Sequence, residues 1–76
     1  MTPLRAAIRG VYAQVYAPQW AAPNLDALAD VLRDLSWLPE GPVPIRLPAH
    51  ERVAQVVRRA AAESAGSDRP IRLERG

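Results

Sequence analysis

An α/β fold, three helices on a small two-stranded parallel sheet, is the architecture the sequence predicts. Three observations carry it. Apolar residues recur at helical spacing in three separate stretches. Two short extended runs come late, at residues 43–47 and 70–74. One of the helical stretches lies between those two runs. Strand, helix, strand in that order reads as a right-handed βαβ unit, and its strands are then parallel. The chain has 76 residues, which make a single domain, 1–76. A chain of this size buries only about 60% of its unfolded surface and has a thin stability margin. With no room for a separate catalytic domain, any function must sit on the surface of one unit.

The first helix is predicted near residues 3–16. Thr2 supplies a capping hydroxyl and Pro3 suits the first turn. Leu4, Ile8, Val11 and Val15 follow on one helical face. A β-hairpin turning at Arg9-Gly10 is the rival, because the same segment also alternates. Arg-Gly is a poor two-residue turn, which favours the helix. The second helix, near 24–35, has Asn24 as its cap and Leu25, Leu28, Leu32 and Leu35 as its buried face. Pro39-Glu40-Gly41-Pro42 is a turn signal. Pro44 lacks an N–H, so the strand at 43–47 belongs at a sheet edge. The third helix, near 49–65, turns Val53, Val56, Val57, Ala60 and Ser64 inward, and Gly66 is its expected stop. Ile71 and Leu73 are the inward residues of the strand at 70–74.

Composition narrows the function classes. Hydrophobic content of 49% and charged content of 24% are globular values. There is no cysteine, hence no disulfide, thiol chemistry or thiolate metal site. No apolar run approaches the length of a membrane span, and the first residues lack a signal-peptide apolar core. A cytoplasmic location is expected. All ten basic residues are arginine and the net charge is +2, a weak balance for nucleic-acid binding by itself. Distribution says more than the sum: acids gather on the second helix while arginines cluster elsewhere.

The second helix carries Asp26, Asp30 and Asp34 on its exposed face. Like charges four residues apart cost a helix roughly 0.2–0.5 kcal/mol per pair. Asp26 lies in the first turn, where the helix dipole favours an anion; Asp30 and Asp34 lie where that help fades. Such a row is either an ordinary solvated face or a surface awaiting a cationic partner.

Asn24-Leu25-Asp26-Ala27-Leu28-Ala29-Asp30-Val31-Leu32 resembles the core motif of the barstar family, intracellular inhibitors of barnase-type ribonucleases. Val53-x-Gln55-Val56 with Arg58 and an Ala/Glu-rich tail resembles that family's last helix. The likeness runs from about Trp20 to the C-terminus. It implies a barstar-like fold, here without the strand that members carry before their first helix. It also implies a protein partner, a barnase-like ribonuclease, with no cofactor and no catalysis. Asp26 and Asp30 match the family's inhibitory aspartates, and Glu63 falls on an acidic contact position. Trp20 and Asn24 shape the approach to the helix, and Asp34 extends its acidic row. The chain departs from the pattern at Trp20-Ala21-Ala22-Pro23, at Ala29 in place of an aromatic residue, and at Arg59 in place of an acid. Two other functions stay open: a barstar-like scaffold serving a different protein, and a small nucleic-acid module using Arg52, Arg58 and Arg59.

The remaining residues offer little chemistry. His50 is the only histidine, beside Glu51 at the start of the third helix. No nucleophile or second base recommends itself, so a surface or capping role is expected. One His and scattered carboxylates give no metal-ligand spacing. There is no phosphate-binding glycine loop or nucleophile elbow. Trp20 and Trp37 flank the acidic helix. Each is a core residue or an interface anchor, a place where Trp is enriched. Tyr12 and Tyr16 lie off the apolar stripe of their helix and could face the same surface.

Overall fold

Five elements build the chain in a computed structural model that describes residues 3–74. They are α1 (Leu4–Val15), α2 (Leu25–Asp34), β1 (Val43–Arg46), α3 (Glu51–Glu63) and β2 (Ile71–Glu74). β1 and β2 pair in parallel, Val43 opposite Ile71 and Ile45 opposite Leu73, with α3 as the crossover. α1 and α3 rest on the sheet, and α2 packs against α1 and α3 without touching a strand. The hairpin alternative for residues 4–15 is excluded.

Each helix forms around its apolar stripe. Ile8, Val11 and Val15 of α1 are fully buried, as their spacing requires. In α2 the buried residues are Leu28, Val31 and Leu32, while Leu25 is only half-buried. α3 buries Val53, Ala54, Val57 and Ala60 and leaves Val56 and Ser64 half-buried. With Ile45 of β1 the buried residues of the helices, Ala54 apart, form one apolar core, and no polar residue among those described is buried in it. Fully burying a Leu, Ile or Val contributes about 1.5–3 kcal/mol.

The element ends depart from expectation in instructive ways. Thr2 lies outside the described residues. Pro3 occupies the cap position of α1, and its carbonyl accepts from the Ala7 N–H at 3.0 Å. α1 ends on Tyr16 at φ 54° and α2 on Leu35 at φ 47°, both left-handed without being glycine. That conformation costs an L-residue about 1–2 kcal/mol. Burial of the Leu35 side chain offsets it, whereas Tyr16 is 77% exposed and has no such return. Gly66 does not stop α3. The helix ends three residues earlier, where the Ser64 hydroxyl donates to Ala61 O and accepts from the Ile71 N–H, both at 2.9 Å. One hydroxyl therefore closes the helix and starts β2. His50 sits at the cap position of α3 but makes no side-chain cap, and its buried Nδ1 has no hydrogen-bond partner. Leu73 is 40% exposed, not inward. It lies in an edge strand, beyond the cover the helices give Ile45.

The outer edge of β1 is closed. Its ladder groups toward β2 include Val43 N–H to Pro70 O at 2.8 Å and Leu47 N–H to Glu74 O at 3.1 Å. Residues 44 and 46 then face outward. Pro44 has no N–H to offer. Arg46 N–H donates to Gln14 Oε1 at 2.6 Å, and Gln14 Nε2 donates back to Arg46 O at 3.2 Å. The Gln14 amide thus stands where a neighbouring strand's peptide group would, which blocks edge-to-edge pairing.

Gly10 is on the exposed side of α1, and a Cβ added there would meet no atom within 4 Å. Gly10→Ala should stabilise the fold by about 0.5–1 kcal/mol. In a domain this small that raises Tm by roughly 2–8 °C. Thermal unfolding by circular dichroism checks it; a lowered Tm would argue against a regular helix at residue 10.

Candidate functional site

α2 and α3 lie side by side, and their exposed faces frame an open groove of about 510 Å³. α2 supplies Asp26, Ala29, Asp30 and Arg33; α3 supplies Val56, Arg59, Ala60 and Glu63. Both sets follow helical spacing, so each helix presents a single row. Small residues form the floor and charged ones the rims. The half-buried Leu25 closes one end.

Local chemistry orients the acidic helix. Asn24 Oδ1 accepts from the Ala27 N–H at 2.7 Å and caps α2. The cap fixes the first turn, and Asp26 within it benefits from the helix dipole. The loops before and after α2 are tied to α1 as well. The Tyr12 hydroxyl donates to Ala22 O at 2.7 Å, and the Trp37 indole N–H donates to Val15 O at 2.9 Å. Tyr12 therefore turns inward while Tyr16 stays out.

The groove gathers three of the six residues expected in the site, Asp26, Asp30 and Glu63. Asp34 lies in an adjoining hollow of about 270 Å³ with Asp68 and Arg69. Asn24 serves as the cap. Trp20 is 71% exposed in the loop ahead of α2, which rules out the core reading for it; Trp37 is half-buried. Arg33, expected on the same exposed face of the helix as Asp26 and Asp30, also lines the groove. The spacing of Arg33 from Asp26 and Asp30, at i+7 and i+3, carried the signal.

The charges are not equivalent. Arg33 Nε lies 3.6 Å from Glu63 Oε1, and this pair spans the groove. Arg58 pairs with Glu51 at 3.4 Å on the flank of α3. Asp26, Asp30 and Arg59 have no ion-pair partner among the described residues. Among those residues no group of three or more His, Cys, Asp or Glu could hold a metal, and no helix is long and apolar enough to cross a membrane.

Fold and groove together define a small α/β protein that presents unpaired carboxylates on a rigid helix pair. Comparison with known families places it further. The family model described as "Barstar (barnase inhibitor)" matches residues 2–74, nearly the whole chain. The protein belongs to the barstar family, a family of inhibitors of a ribonuclease. No curated protein and no solved structure matches it.

Burial pushes the Tyr12 phenol above its ordinary 10.0. A raised pKa means that the fold favours the neutral form. That contribution is complete below about pH 10 and is lost as pH rises through the folded value. Tyr12→Phe should cost about 0.5–1.5 kcal/mol at neutral pH by removing the bond to Ala22. It should also flatten the alkaline fall in stability. Urea unfolding of both proteins from pH 7 to 11 measures this, and parallel declines would show that another group governs the alkaline limb.

Proposed function

We propose that this chain binds a basic guanyl-type ribonuclease through α2 and blocks its active site by phosphate mimicry. The observation that carries the reading is the pair Asp26 and Asp30, exposed on one rim of the groove with no ion-pair partner among the described residues. An enzyme that grips RNA phosphates with Arg, Lys and His offers the complementary surface. Carboxylates fixed on a helix can occupy phosphate positions and pair bidentately with arginine. Asp30 is the central mimic, Asp26 stands beside it, and Glu63 supports them from α3. Trp20 and Asn24 shape the approach, and Asp34 adds negative potential along the same helix. The inhibitor performs no chemistry of its own, and its expected compartment is the cytoplasm.

The nucleic-acid alternative draws less support. The three arginines of α3 do not pool into one basic face, since Arg58 is tied to Glu51 and Arg59 looks across at carboxylates. A barstar-like scaffold serving a non-nuclease protein would use the same groove, so the partner's identity decides between those two.

Asp30→Ala should abolish binding to the cognate ribonuclease while leaving the fold intact. The side chain is exposed and outside the core. Its removal relieves repulsion from Asp26 and Asp34. At the interface the enzyme's buried cations lose their partner, at a cost of roughly 2–5 kcal/mol or more, the size such interfaces show. Asp26→Ala should cost less. Association should slow as salt rises, since steering between opposite charges is screened. Titration calorimetry with wild type and Asp30→Ala, with circular dichroism as a folding control, tests this. Equal affinities would remove Asp30 from the site.

The free protein should be a monomer, because Pro44 and Gln14 close the outer edge of β1. Light scattering across a hundredfold dilution checks it; a dimer that persists on dilution would refute the closed-edge argument.

A further inference from the structure

One cation among the acids of the groove has no ion-pair partner among the described residues. Arg59 lines the same opening as Asp26, Asp30 and Glu63 and is exposed. Glu63 is the nearest acid on its own helix, one turn on, yet Glu63 pairs with Arg33 across the groove. No carboxylate among the described residues lies within 4.0 Å of the Arg59 guanidinium. The groove therefore presents two unpaired negative charges on its α2 rim and one unpaired positive charge on its α3 rim. It is a dipolar surface, not a uniformly acidic one.

A partner that closes over the groove excludes water from all three groups. A guanidinium cannot shed its proton to escape the loss of hydration. It must find an acceptor in the partner or remain buried and unpaired, which is strongly unfavourable. A partner surface that is cationic throughout satisfies Asp26 and Asp30 and meets Arg59 with like charge. A surface that sets a carboxylate beside its cations satisfies all three, and the planar guanidinium suits a carboxylate bidentately. Discrimination built on such a repulsive element rejects wrong partners at little loss to the right one.

We propose that Arg59 is a specificity-determining residue: it admits a ribonuclease bearing a carboxylate next to its phosphate-gripping cations and disfavours one that is cationic throughout. The inference rests on the ribonuclease reading of the groove given above. The exposure of Arg59 on the rim supports it, since the side chain stands open to a partner that covers the groove.

Barnase is the probe, as a ribonuclease that by this inference meets Arg59 with a cation. Its affinity is measured for wild type, Arg59→Ala, Arg59→Glu, Asp30→Ala and the double variant Arg59→Ala/Asp30→Ala. Arg72→Glu is the control: it makes the same charge change as Arg59→Glu on the exposed face of β2, away from the groove. Circular dichroism confirms folding of each. Arg59→Ala should bind at least about tenfold tighter than wild type, and Arg59→Glu tighter again. Arg72→Glu should stay within about threefold, since a distant charge acts only through screened steering. The cationic residues of barnase are then changed to glutamate one at a time. At one of them wild type should gain affinity where Arg59→Glu loses it. Loss of binding in Asp30→Ala with no gain in either Arg59 variant overturns the selectivity role and leaves the ribonuclease reading standing. Equal gains from Arg59→Glu and Arg72→Glu overturn it too, because net charge alone would then explain them. Indifference to both Asp30 and Arg59, or no binding by any variant, overturns the inference and the reading beneath it.

Discussion

Burial of Leu28 and Leu32 of α2 in the same core as Val53, Val57 and Ala60 of α3 fixes where every charge of the groove points. A helix with its apolar stripe held has no rotational freedom left. A residue three or four places from a buried leucine must then face a set direction. The backbone positions of Asp26 and Asp30 are thus fixed one helical turn apart. On the proposed reading that matters, since side chains anchored on a fixed helix need little rearrangement to meet an arginine. The Asn24 cap and the Tyr12 and Trp37 hydrogen bonds extend the same restraint to the ends of α2.

The ion pairs have a different part. Arg33–Glu63 is about half exposed at both ends, with side-chain exposures of 62% and 50%. Exposed pairs contribute about 0–1 kcal/mol, so this one does little to hold the helices together. Its consequence is electrostatic. It removes one acid and one base from the groove's available charge and leaves Asp26, Asp30 and Arg59 without an ion-pair partner among the described residues.

Most of the fold was legible because it rests on periodicity. The helices at 3–16, 24–35 and 49–65 shrink by one to two residues per end, to Leu4–Val15, Leu25–Asp34 and Glu51–Glu63. The strands and their parallel sense followed from the helix between them. What escaped was set by neighbours in space. Glycine signals a left-handed helix end, but here Tyr16 and Leu35 adopt it, and for Leu35 only tertiary burial explains that. Ser64 replaced Gly66 as the stop of α3 because its hydroxyl meets a strand seven residues on. Gln14 sealing β1 spans 32 positions and leaves no local trace. In the candidate groove, the exposure of Asp26 and Asp30 on one face of α2 was readable from their spacing. Their grouping with Arg59 and Glu63 needed two helices to be placed together, and Asp34 fell one hollow away for the same reason.

The residues that make the fold and those that make the surface scarcely overlap. Among the described residues the core is wholly apolar, whereas Asp26, Asp30 and Arg59 are exposed and make no ion pair. A domain of this size has little stability to spare, so a binding surface built from buried polar groups would put the fold at risk each time it changed. Charges standing on the outer rims of two fixed helices carry no such penalty, because surface substitutions away from caps and the core usually change stability by less than about 0.5 kcal/mol. On the reading proposed above, reversing the charge at position 59 leaves the helix pair where it is and alters what the groove accepts, so partner choice can change residue by residue while the geometry that presents Asp26 and Asp30 stays constant.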